Sequence, residues 1–229
     1  MLDGLFDRWW RLGGVAGILF LVLFIVGIVL EGEAPDFDDP VDDIRDWFTD
    51  NGEQYLVGDY LVGLAFVLFF LPFLSSLRGL LARAEGDPAV WSWVVFAAGI
   101  AILVLGAVAS LFWESLAFGF GVAEDADEGT IRTLMYLDHA GFATLEMAFV
   151  PFLLASSLVI ARTGVLWRWL AIIGLAGGVL SALAGLSALE SDPEGGFTTF
   201  FFISGPVAAL FILLVSVNML LRRDAPASA

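Results

Sequence analysis

Residues 12–30 read LGGVAGILFLVLFIVGIVL, a run of nineteen residues without a charged side chain. A helix of about 20 apolar residues crosses the hydrocarbon core of a bilayer, which is about 30 Å thick. This run is therefore predicted to span a membrane. It is too long for the apolar part of a signal peptide, and no small-residue cleavage pattern precedes the acidic loop that follows. We therefore expect the helix to be retained.

Five further stretches resemble the first in length and composition. Together they give six predicted spans, at about 12–30, 55–77, 90–113, 134–160, 166–189 and 197–221. The longest segment between spans is an outer loop at 31–54, which is too short for a soluble domain. The sequence thus predicts an all-α fold: a polytopic membrane bundle of six transmembrane helices, forming one membrane domain over residues 1–229.

Composition points the same way and excludes several kinds of chemistry. The 229 residues are 59% hydrophobic and 16% charged, against roughly 45–50% and roughly 25% in soluble domains. The chain has no Cys, no Lys and one His. This excludes disulfides, Schiff-base lysines and multi-histidine metal sites. We expect no metal and no cofactor, the lipid bilayer as the surrounding partner, and no nucleic acid.

The arginines predict the orientation. Eight of the ten lie at one set of span ends, and only Arg45 and Arg132 lie at the other. Cytoplasmic loops are enriched in basic residues, so both termini are predicted to be cytoplasmic, in a plasma (inner) membrane. The remaining side and the spans carry 21 of the 26 acids. The acidic outer loops would concentrate cations, or serve only as a solvated rim. Six tryptophans fall at the predicted cytoplasmic ends: Trp9, Trp10, Trp91, Trp93, Trp167 and Trp169.

One secondary-structure element can be predicted within the outer loop. Asp39 is predicted to cap a helix whose first residue is Pro40. Four apolar residues then fall on one face, and acids occupy the others. This pattern predicts a short amphipathic helix on the membrane surface or over the bundle, as a cover or a lid. The apolar residues are Val41, Ile44, Trp47 and Phe48.

An internal repeat is predicted from a spacing of 79 residues. Asp59 and Pro72 recur as Asp138 and Pro151, within seven identities over 26 aligned positions. This spacing favours three helical hairpins in the same orientation, formed by spans 1–2, 3–4 and 5–6. Chance matches between Leu-, Ala- and Phe-rich helices are the alternative.

The fifth span is rich in small residues, with Gly174, Gly178 and Ala182 at spacings of four. Small-xxx-small faces let helix backbones approach closely. We expect this span to be the most buried helix of the bundle. The alternative is a contact face for a homo-oligomer or another membrane partner.

Charged groups inside a span are candidates for function. Glu146 lies about 12 Å deeper than Asp138 along the fourth span and is the one acid placed near the midplane. His139 is seven residues away and shares its helix face. These three form the candidate polar or proton site, and Asp59 and Glu114 are further acids linked to the repeat and the span ends. In a dry bundle Glu146 is expected to be neutral and to face the interior.

Three classes of function stay open. The first is a non-enzymatic structural, accessory or sensing protein. The second is a small transporter or channel for protons, cations or a small solute, which would use Glu146 and His139. The third is an intramembrane enzyme, which is disfavoured because the chain has no HExxH and no GxSxG motif.

Two stretches carry a resemblance. Residues 34–36 (APD) follow the first span, and residues 162–170 (RTGVLWRWL) precede the fifth. This layout resembles uncharacterised six-helix membrane proteins of actinobacteria, which often show an Arg-Thr-Gly-x-Leu-Pro-x-Trp-Leu pattern there. Trp167 stands where that Pro is common. The resemblance implies an inner-membrane protein and no known activity.

Overall fold

Six helices make up almost all of the structure, a computed structural model that describes residues 9–118, 126–190 and 195–222. Each is long and apolar enough to cross a membrane, so the predicted all-α membrane bundle is confirmed. No strand is present in the described ranges. The helices are α1 (Trp9–Glu31), α2 (Val41–Glu85), α3 (Val90–Ala117), α4 (Glu128–Thr163), α5 (Leu170–Leu189) and α6 (Thr198–Leu221).

The helices form a closed ring in chain order. Each packs against the next, and α6 packs against α1. Contacts between α2 and α4 cross the centre of the ring, where the rings of Phe70 and Phe152 lie 6.4 Å apart. Phe211 of α6 completes this inner core at 6.5 Å from Phe152. Each predicted hairpin is thus a pair of adjacent helices, and the threefold repeat itself stays a prediction.

A second hydrophobic cluster lies beyond the inner core, at the acidic end. This outer core joins the first turns of α2 to the end of α3 and the start of α4. Its buried residues are Ile44, Phe48, Tyr55, Trp113, Leu116, Ala117, Ile131 and Met135. The predicted apolar face of residues 41–48 therefore packs on protein, as a cover for the bundle.

The helix boundaries in the outer loop differ from the predicted ones. Helix α2 starts at Val41 and continues without a break into the second span, so residues 41–54 are helix and not loop. Pro40 is the N-cap and no side chain caps the helix. The carboxylate of Asp39 instead accepts the N–H of Asp36 at 2.9 Å. Burial of Ile44 and Phe48 against α3 and α4 keeps this segment helical.

The proline in α2 is accommodated by a change of helix type. Residues Ala65–Phe70 form a π-helix directly before Pro72, and the N–H of Leu71 bonds to the carbonyl of Phe66. Proline supplies no N–H and its ring clashes with the preceding turn. A wider turn at this point relieves that clash within a continuous helix.

The glycines of α5 let this helix pack closely against α4. A Cβ at Gly178 would come within 2.7 Å of Leu154, and one at Gly185 within 2.9 Å of Met147. The outward stripe of α5 is apolar and exposed, at Ile172, Leu175 and Val179. Nine of the 20 residues of α5 are buried, against 12 of the 36 residues of α4. This is the largest buried share of the six helices, as expected, although within the most apolar stretch of each helix α4 is 56% buried and α5 is 50%. Helix α4 contacts α2, α3, α5 and α6.

Candidate functional site

Glu146 lies in the bundle between three helices. Helix α4 carries it, and its side chain is buried against α5 and α6. The hydroxyl of Ser204 on α6 donates to Oε1 at 2.9 Å. The hydroxyl of Ser181 on α5 also faces the carboxyl, although neither it nor Oε2 has a regular hydrogen bond among the described residues. The carboxyl therefore links α4 to its two following helices.

His139 lies further out on the same side of α4. Its ring packs edge-on against Phe37 at 5.7 Å and against Phe201 of α6 at 5.8 Å. Its Nε2 is buried and has no hydrogen-bond partner among the described residues. Phe201 and Ser204 are one turn apart on α6, so His139 and Glu146 both face that helix. Seven residues of helix, about 10 Å, separate them, so they share a face and do not touch.

Asp138 points to a different part of the bundle. It lies near the indole of Trp113, whose N–H makes no regular hydrogen bond among the described residues, and it interacts electrostatically with Asp59 and Glu31. Consecutive residues on a helix point about 100° apart, so Asp138 faces α3 and α2 while His139 faces α6. The three residues of the predicted polar site are therefore divided between two places.

Four carboxyls lie within electrostatic reach of Tyr55 at the acidic end, one from each of the first four helices. We call Glu31, Asp59, Glu114 and Asp138 the outer carboxyl group. Glu114 lies close to Asp59, and Glu31 lies against Gly58 beside Asp59. All four interact electrostatically with Tyr55, which is 8% exposed. The repeat-linked acids Asp59 and Glu114 thus meet, together with Asp138.

The two arginines at the acidic end, Arg45 and Arg132, interact with groups outside the outer carboxyl group. Arg45 donates to the Asp42 carboxylate at 2.9 Å and to the carbonyl of Ala126 at 2.7 Å. Arg132 donates to the carbonyl of Asp39 at 2.7 Å. Both guanidiniums tie the outer segments together, and neither forms an ion pair with the outer carboxyl group in the part of the chain that the structure describes.

Sequence reasoning missed two buried members of this region. Tyr55 and Trp113 belong to the outer core and lie beside the outer carboxyl group. Their position at span ends was visible, because both flank a predicted boundary near an acid. The side of the helix that each would present was not visible in one sequence.

Arginine–tryptophan pairs mark the opposite end of the bundle. Arg78 lies over the ring of Trp93 at 3.8 Å, and Arg83 lies over Trp9 at 5.0 Å. These contacts join the end of α2 to the starts of α3 and α1. The arginine-rich ends that the sequence predicts to be cytoplasmic thus gather on one side of the bundle.

The described residues contain no group of three or more His, Asp or Glu side chains arranged to hold a metal ion. The residues that could carry a chemical role are therefore Glu146 with its serines and the outer carboxyl group. Comparison with protein-family models, curated proteins and solved structures finds no match for this chain.

Proposed function

We propose that the protein is a non-enzymatic, multi-pass plasma-membrane protein that senses the proton concentration outside the cell. In this proposal both termini are cytoplasmic and the outer carboxyl group is the sensing element. The single observation that carries it is that four carboxyls, one each from α1, α2, α3 and α4, act electrostatically on the buried Tyr55.

The chemistry follows from charge repulsion. Carboxylates that share a partly buried site repel one another, and a bound proton removes part of that repulsion. Because each acid belongs to a different helix, the repulsion acts directly on the packing of four helix ends. Tyr55 and Trp113 also belong to the outer core, so a change in proton occupancy would reach the cover formed by residues 41–48.

The experiment compares two acids of α2. In the purified protein in nanodiscs, hydrogen exchange of residues 41–60 is measured between pH 4 and pH 8. Hydrogen exchange accelerates with pH even without any structural change, and for the wild type we expect a larger increase than that, because ionisation separates the helix ends. Asp59→Asn should reduce this additional increase. Glu53→Gln, which changes an exposed acid on the same helix, should keep it. Identical profiles for Asp59→Asn and the wild type would contradict the proposal.

A second candidate is a small proton transporter that uses Glu146. The observation in its favour is the set of buried polar groups between α4, α5 and α6, where Glu146 Oε2 and the hydroxyls of Ser157 and Ser181 have no regular hydrogen bond among the described residues. A route along this interface would pass from His139 to Glu146.

Glu146→Gln separates transport from helix linking. The amide keeps the acceptor for Ser204 and cannot exchange a proton, so the variant should fold and insert normally. In proteoliposomes with a pH-sensitive dye, loss of proton flux with normal folding would identify a proton site. Unchanged flux would leave Glu146 as a link between helices. Glu128→Gln, at the exposed start of α4, is the matched control.

A further inference from the structure

A cavity of about 570 Å³ opens at the arginine-rich end of the bundle. It lies between the end of α4, the loop before α5 and the end of α6. Two guanidiniums and one amide line it, and its described lining contains no Asp or Glu. The side chains used below are Arg168, Asn218, Arg222, Leu166, Trp167 and Leu221.

The structure holds one of the guanidiniums in place. Arg222 Nη1 donates to the carbonyl of Val165 at 2.9 Å, and its backbone carbonyl accepts from Arg11 at 3.3 Å. Its other side-chain N–H groups make no hydrogen bond to the residues that the structure describes. Arg168 approaches from the other side, where it folds beside Gly164. One fixed guanidinium and a second, exposed one beside it, with no carboxylate in the described lining, favour an anion.

Asn218 provides an independent indication of a ligand. It is 7% exposed, and its side-chain amide makes no hydrogen bond among the described residues. Its amide atoms are not among the enclosed, unpartnered side-chain atoms of the described residues, so they are open to the cavity, where a ligand can replace water as their partner. Because this amide lines the cavity, a bound polar group would complete it.

We propose that this cavity binds the phosphate of an anionic phospholipid headgroup. Guanidinium groups bind phosphate oxygens through paired hydrogen bonds, and the Asn218 amide can donate a further one. The cavity lies at the helix ends, where a headgroup would be. Trp167, stacked on Trp169 at 5.7 Å, and the exposed Leu221 offer apolar surface to the acyl chains. Basic pockets between spanning helices are typical sites for such headgroups.

The experiment titrates delipidated full-length protein in detergent and counts bound lipid by native mass spectrometry. The probes are phosphatidic acid, diacylglycerol with the same chains, and inorganic phosphate. We expect one saturable phosphatidic acid and no saturable diacylglycerol. Arg168→Gln should weaken the affinity about fivefold or more, the effect of one basic residue near an anionic headgroup.

Two further variants keep the test decisive. Asn218→Leu keeps the size of the side chain and removes the amide that lines the cavity, so it should fold like the wild type and bind phosphatidic acid more weakly. Arg162→Gln changes an exposed arginine outside the cavity and should bind normally. If inorganic phosphate displaces the lipid and depends on the same residues, the lipid assignment is overturned in favour of a soluble phosphate. If no phosphate-containing probe binds saturably, or Arg162→Gln loses as much affinity as Arg168→Gln, the site itself is overturned.

Discussion

The contact between α4, α5 and α6 at Gly174 gives the sharpest test of the fold. A Cβ at this position would overlap the hydroxyl of Ser157 and come within 2.8 Å of Phe211 Cε2 and 3.3 Å of the Leu153 carbonyl. The serine can rotate away, but the aromatic ring lies in the inner core and the carbonyl belongs to the backbone of α4. Gly174→Ala must therefore push α5 away from both neighbours.

The expected magnitude combines two opposing effects. Overpacking of a close contact typically destabilises by about 1–3 kcal/mol. Replacing glycine by alanine within a helix stabilises by about 1 kcal/mol. Gly63→Ala, on α2, has the second effect alone, because nothing lies within 4 Å of its added Cβ and no proline directly follows it. The free energy of unfolding of Gly174→Ala should thus be lower than that of Gly63→Ala by about 1–3 kcal/mol.

The assay is reversible unfolding in mixed micelles of dodecylmaltoside and sodium dodecyl sulfate, followed by circular dichroism. Ser157→Ala in the Gly174→Ala background removes the hydroxyl and should restore part of the loss, by about 0.5 kcal/mol or more. The full loss should not return, because Phe211 remains in place. A Gly174→Ala protein as stable as Gly63→Ala would refute the close packing of α5 on α4 and α6.

Two other predictions address the core and the topology. Phe152→Ala removes a fully buried ring between Phe70 and Phe211 and should lower the free energy of unfolding by about 3–5 kcal/mol, measured in the same titration; a loss below about 1 kcal/mol would place this ring outside the core. Accessibility tags inserted at Gly32 and Gly86, in the connections before and after α2, should be labelled from opposite sides of the membrane in intact cells, with Gly86 inside, and labelling of both from one side would refute the orientation.

The spans were predictable because charge-free runs of this length have few structural alternatives. The continuous helix over residues 41–54 was not predictable, since Asn51 and Gly52 locally indicate a break and the acids around them indicate a loop. Tertiary burial of Ile44 and Phe48 overrides that local signal. Helix continuity here is a property of the packed bundle and not of the segment.

Individual residues of the candidate site could be named from the sequence, but which of them lie together could not. The burial of Glu146 followed from its depth, whereas its bond to Ser204 depends on α6 lying beside α4. A single sequence gives the faces of each helix and not the order in which the helices surround one another. For the same reason the neighbours Asp138 and His139 could be read as one site, although the ring places α3 on one side of them and α6 on the other.

Helix α2 also has a mechanical consequence. Its 45 residues correspond to about 67 Å of continuous helix, more than twice the thickness of the hydrocarbon core. One end lies in the outer core, and the other carries Arg78 and Arg83 on their tryptophans. An axial shift or a rotation of α2 at the acidic end must therefore displace the arginines at the opposite end. The exception would be a change in the winding of the π-helix at Ala65–Phe70 that absorbs the movement.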